Sequence, residues 1–168
     1  MIMVPESIVD TSHAALDLYS HQGGSDRFVG TASAAISVLS GIRGFQNLAV
    51  GGKEHKIEGI GNLALSAASG MVAYESFFAG HDHESHGHHG HHGHGFGLIG
   101  ALECVHGLAE ISVGAMEVKR PERRKIGLLR MAKGAAVLGS QVIPGAAAAL
   151  QTFHLGSSCV LAAMDPLH

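Results

Sequence analysis

Residues 134–164 read GAAVLGSQVIPGAAAALQTFHLGSSCVLAAM, with not one Asp, Glu, Lys or Arg among them. Such a run exceeds the roughly 20 apolar residues that a helix needs to cross a bilayer. Its texture matters as much as its length. Ala, Gly and Ser dominate it, and Ala-rich runs longer than a strand favour helix. Each interior Gly costs a helix in water about 1 kcal/mol against Ala. In a bilayer the backbone must bond internally in any case, and small residues become the surface on which helices pack. The stretch therefore predicts one long span over 134–156, kinked at Pro144.

The same texture runs through the rest of the chain. Its 168 residues include 24 Gly, about twice the usual share, while aromatics make up 5% and Trp is absent. RFVGTASAAISVLSG (27–41) aligns without gaps on KIEGIGNLALSAASG (56–70). Gly30 matches Gly59, Ala35 matches Ala64, Ser37 matches Ser66, and Ser40-Gly41 matches Ser69-Gly70. GFGLIGALECVHGLAEISVGA (95–115) and RKIGLLRMAKGAAVLG (124–139) are weaker echoes. A repeat near 30 residues suits helical hairpins. The expected fold is all-α: four antiparallel helices near 28–50, 59–80, 95–116 and 134–156, forming glycine- and alanine-rich hairpins that span a membrane. Residues 1–26 are set apart as a polar segment with a short amphipathic helix, whose Ile8, Ala15, Leu16 and Tyr19 lie near one face. The four-helix domain covers 27–168, with Ser25 or Asp26 as the N-cap of its first helix.

Charge placement fits the spans. The loops 51–58 and 117–133 hold Lys53, Lys56, Lys119, Arg120, Arg123, Arg124, Lys125, Arg130 and Lys133. The opposite side holds only Arg27, and Arg43 lies within the first span toward the basic side. By the positive-inside rule the basic loops are cytoplasmic. Both termini, and the loop joining the second and third helices, are then expected on the other side. A soluble bundle would give the same alternation of ends, with the charges solvated.

That second loop contains HDHESHGHHGHHGH (81–94), expected to be disordered. Its ligands would be His81, His83, His86, His88, His89, His91, His92 and His94. Neutral imidazole binds Zn, Ni, Cu and Co, and Gly87, Gly90 and Gly93 let several rings curl onto one ion. Many ligand sets are equivalent in such a tract, so it suits capture of an ion better than a single defined site. The tract resembles the His-rich loops of zinc-exporting cation-diffusion facilitators and of ZIP-type importers. HGLAE (106–110) is similar in style to an intramembrane His/Glu motif. Those families pair such motifs on two helices and this chain carries one, so no family membership follows.

Directly after the tract, Glu103, His106 and Glu110 fall at i, i+3 and i+7, and so share a helical face that Glu117 extends. Within a membrane that face would point into the bundle and mark an ion path. In water it would be a solvated face. Glu75 and His154 are further candidates to join them.

The exclusions are broad. A net charge of -3 with His neutral gives no electrostatic footprint for nucleic acid. Cys104 and Cys159 lie in apolar runs and do not suggest a disulfide framework. The N-terminus lacks the pattern of a cleavable signal. No nucleophile elbow, P-loop or dinucleotide fingerprint occurs, so no enzyme is expected. The expectation is a small multi-pass membrane protein that handles a divalent ion, Zn or Ni, loosely held. Its partners would be the lipid bilayer and either further copies of itself or another membrane protein. A membrane-interacting structural or secreted effector protein, with the His tract as spacer, is the alternative. A soluble metal-binding bundle is the third.

Overall fold

A computed structural model describes residues 4–78 and 97–164. They form six α-helices: α1 (Glu6–His21), α2 (Asp26–Val50), α3 (Lys53–Phe78), α4 (Leu98–Glu117), α5 (Arg124–Val142) and α6 (Ala147–Met164). Short 3₁₀ turns at Pro121–Arg123 and Pro144–Ala146 precede α5 and α6. No strand occurs among the described residues. The all-α expectation holds, with six helices in place of four. Three of them, α2, α4 and α6, are long and apolar enough to cross a membrane.

The difference in number comes from both ends of the chain. The charge-free run 134–164 is not one kinked helix. The residue before a proline is pushed out of the helical region, and Ile143 sits at φ -118°, ψ 84°. The chain turns back there, so Gly134–Val142 completes α5 and residues 147–164 return as α6. At the other end the amphipathic segment becomes α1, which packs along α6 and α2. Its expected apolar face is divided: Leu16 is buried, Ile8, Ala15 and Tyr19 are exposed, and the polar Glu6, Asp10 and His13 are buried.

Two tight hairpins form the frame, α2 with α3 and α4 with α5. Gly51 and Gly52 make the first turn at φ +78° and +87°, a region L-residues with side chains rarely occupy. Along α2–α3 the aligned repeats meet each other. Ser37 Oγ donates to the Ser66 carbonyl at 2.8 Å, and Ser66 Oγ donates to the Ser37 carbonyl at 2.7 Å. Below them Gly44 and Gly59 face one another, where a Cβ on either would come within about 3 Å of the other's carbonyl oxygen. Gly107–Gly134 and Gly114–Gly127 do the same for α4–α5. Small residues thus let helix backbones touch, as the composition implied.

The helices alternate in direction, which gives the bundle two distinct ends. One end gathers the α2–α3 turn, the Glu117–Arg124 turn, the start of α1 and the last turns of α6. It contains Arg43, Arg123 and Arg130 and is called the basic end. The other gathers the α1–α2 turn, the α5–α6 turn, the close of α3 and the start of α4. The described chain ends therefore lie at the basic end, where the four-span expectation had put them opposite. The cause is the additional helix that α1 contributes at one end of the chain and α6 at the other.

The interior is more polar than the exterior demands. Among the described residues, twenty polar or charged side chains are buried against fifteen apolar ones. Lys133, His154 and Glu117 are among the largest side chains fully enclosed. Outside, Phe28, Val38, Phe45, Val50, Tyr74, Phe78, Leu98 and Val142 are each more than half exposed. A bundle folding in water arranges the two classes the other way round.

Candidate functional site

The polar interior begins with a stripe on α1. Glu6, Asp10, His13 and Asp17 recur at intervals of four, three and four residues, so all four lie on one helical face. That face meets the stripe of α4, where His106, Glu110 and Glu117 are buried and Glu103 is half-buried. The solvated-face reading of Glu103, His106 and Glu110 does not survive: His106 and Glu110 are 2% and 3% exposed. Two long cations of α5, Arg130 and Lys133, reach between the two stripes.

At the basic end Arg130 is the hub. Its guanidinium meets Glu6 and Glu58 at hydrogen-bonding distance, Glu110 at 3.4 Å and Glu117 at 3.5 Å. Arg123 Nε donates to Glu117 at 3.0 Å, Arg43 lies 3.6 Å from Glu6, and Asn47 donates to Glu58 at 3.1 Å. One turn further along, Lys133 Nζ bonds Asp10 and lies 2.8 Å from Glu110. Buried carboxylates keep their charge only when neutralised in this way. Glu6, Asp10 and Glu110 bring ligand-type oxygens together, but two built-in cations already occupy their field.

The other end differs. His13, Asp17 and Glu103 each offer a ligand atom within 4.8 Å of the others. His13 Nε2 is 3.6 Å from Asp17, while its Nδ1 is buried with no hydrogen-bond partner. Gln141 of α5 donates to Glu103 and fixes that carboxylate. The three groups line a partly open cavity of about 470 Å³, together with Ser33, Ser69 and Gln151. Ser20, His21 and Ile99 also line it, which places the cavity at the end where α3 closes and α4 starts.

Between the two regions lie three histidines from three helices. The His13 ring is 6.3 Å from that of His106 and 6.0 Å from that of His154, centre to centre. His106 Nε2 is 4.0 Å from Asp10, and both His106 Nε2 and His154 Nε2 are buried without a hydrogen-bond partner.

The expected ligands thus separate. Glu103 joins His13 and Asp17, Glu110 joins Lys133 and Arg130, and His106 stands between them; the helical rise of about 1.5 Å per residue keeps i and i+7 on different levels. Glu75 is not brought to the site. His81, His83, His86, His88, His89, His91, His92 and His94 lie outside the described residues. The α1 residues were missed, although the acid/His spacing within ESIVDTSHAALD carried the signal: its polar stripe is as regular as its apolar one.

No known protein family, curated protein or solved structure matches this chain.

Proposed function

We propose that this chain is a membrane-embedded helical bundle that captures a divalent cation, taking it up at the His-rich tract and holding it at His13, Asp17 and Glu103. The observation that carries the reading is the convergence of these three groups on one wall of a cavity. That cavity faces the end at which residues 79–96 join α3 to α4. One imidazole nitrogen and two carboxylates suit a borderline ion such as Zn, Ni or Mn, and leave a position open for exchange. Gln141 would orient Glu103, as partners of metal-binding carboxylates do. A membrane setting accounts for the outward aromatics and for ionisable groups that point only inward.

The test removes the tract and keeps the interior. With the eight histidines of 81–94 replaced by Ser, the purified protein should still bind Zn²⁺ in competition with a chromophoric chelator. Asp17→Asn should weaken that binding by more than the roughly 10–100-fold lost with an orienting partner. Affinity should climb with pH, because carboxylate and imidazole ligands must be free of their protons to bind the ion. If no binding survives loss of the tract, the interior site is excluded.

A further inference from the structure

The cavity that holds His13, Asp17 and Glu103 is far larger than one ion needs. A divalent ion bound by an imidazole and two carboxylates sits about 2 Å from each of them, whereas the cavity measures about 470 Å³. Cavities that take small organic molecules measure roughly 300–1,000 Å³, and apolar side chains wall them around a few fixed polar groups. This one has that make-up. Leu16 of α1, Val29 of α2 and Val72 of α3 belong to one apolar cluster, and all three line the cavity together with Ile99 of α4. We infer that the cavity is also a binding site for a small organic cation, a primary ammonium on an apolar body, and that this ligand and the metal ion exclude each other. The inference shares the three groups of the metal reading but does not rest on a bound ion.

Three observations carry it. The first is charge. At the basic end Arg130 serves Glu6, Glu58, Glu110 and Glu117, and Lys133 serves Asp10. Among the described residues that line the large cavity, no Lys or Arg does the same for Asp17 and Glu103. Enclosed carboxylates need a positive partner, and here it must come from outside the bundle. The second is geometry. His13, Asp17 and Glu103 each present one acceptor atom within 4.8 Å of the others. A primary ammonium has three N–H donors and no acceptor. Charge-assisted hydrogen bonds of about 2.8 Å, directed tetrahedrally, hold three acceptors about 4.6 Å apart. The three groups lie within that reach. The third is Gln151 of α6. It lines the same cavity, is 7% exposed, and keeps a side-chain oxygen with no hydrogen-bond partner. A buried polar atom left unbonded is uncommon and calls for a role.

Each part of such a ligand has a counterpart on the cavity wall. The ammonium takes Asp17 and Glu103, with His13 as the third acceptor and Gln141 keeping Glu103 in place. The apolar body covers Leu16, Val29 and Val72 and is removed from water there. A further polar group on the body finds Gln151, or the buried hydroxyls of Ser33 and Ser69, which line the same cavity. The charge selects against a neutral molecule of the same shape. The apolar wall selects against an ammonium ion that has no body. The two carboxylates reject an anion. Ammonium and divalent ion need the same two carboxylates, so occupation by one displaces the other.

Isothermal titration calorimetry of the full-length protein in detergent, freed of metal by dialysis and read at one pH against a detergent blank, tests this with phenethylamine as probe. Phenethylamine should bind roughly tenfold or more tightly than 2-phenylethanol, which has the same shape without the charge. It should exceed methylamine, which has the charge without the body, by about the same factor. Asp17→Asn should weaken it about tenfold or more. Val72→Phe fills space at the apolar wall from α3, a helix that supplies none of the three acceptors. It should weaken phenethylamine about as much, yet leave Zn²⁺ affinity within about twofold when the eight tract histidines are replaced by Ser. If either variant fails to fold, the comparison of the three probes on the unaltered protein decides. Equal binding of phenethylamine and 2-phenylethanol, or no phenethylamine binding by protein that takes Zn²⁺, overturns the ammonium site and leaves the metal reading standing. Selective phenethylamine binding by protein whose interior takes no Zn²⁺ supports the ammonium site and overturns the metal reading instead.

Discussion

Lys133 is 1% exposed and holds together carboxylates from two helices, Asp10 of α1 and Glu110 of α4. Removing one partner of a buried ion pair leaves the rest uncompensated, at a cost of about 3–5 kcal/mol. Lys133→Met should therefore lower the denaturation midpoint in detergent sharply. Arg120→Ala breaks the half-exposed pair with Glu54 and should cost no more than about 1 kcal/mol. Equal effects from the two variants would mean that the interior network does not hold the fold. The inward turn of Glu103, His106 and Glu110 was legible as a shared face, because i, i+3 and i+7 spacing is local geometry. Their partners were not. Lys133 and Asp10 are 123 positions apart, and no local pattern specifies a pairing at that distance.

At the scale of the helix, contact between backbones decides. A Cβ on Gly134 would stand 2.5 Å from the Gly107 carbonyl oxygen and 2.9 Å from Ile111 Cγ1. Gly134→Ala must part α4 from α5, which overpacking data put at about 1–3 kcal/mol. Gly156 of α6 has open space at that position, so Gly156→Ala should leave stability unchanged or raise it by up to about 1 kcal/mol through helix propensity. Paired thermal denaturation in one detergent checks the opposite signs. The repeat anticipated part of this geometry: Ser37 and Ser66, matched in the alignment, bond to each other. It could not anticipate that residues 134–164 divide. A membrane helix tolerates proline, so the choice between kink and reversal falls to packing, and here α6 finds its place against α1 and α5.

At the scale of the molecule, an apolar coat surrounds a charged interior. Cys159 is exposed on α6, near Phe153 and Val160, which are about half exposed. With Cys104 replaced by Ser, Cys159 in membranes should react with a charged maleimide roughly tenfold or more slowly than after SDS. Hydrocarbon disfavours both the thiolate and the reagent. Rapid labelling without detergent would instead mark a bundle that lives in water.

Sequence alone determined that the chain is helical, that its helices meet through glycine and serine, and that positive charge collects at one end. These follow from propensity, side-chain size and the placement of Lys and Arg, all of them local properties. Tertiary structure decided the number of helices and the inward face of α1. It also selected which histidines and carboxylates share a site, bringing His13 and Asp17 to Glu103. An acid and an imidazole on separate helices become a pair only when packing fixes the rotation and level of both.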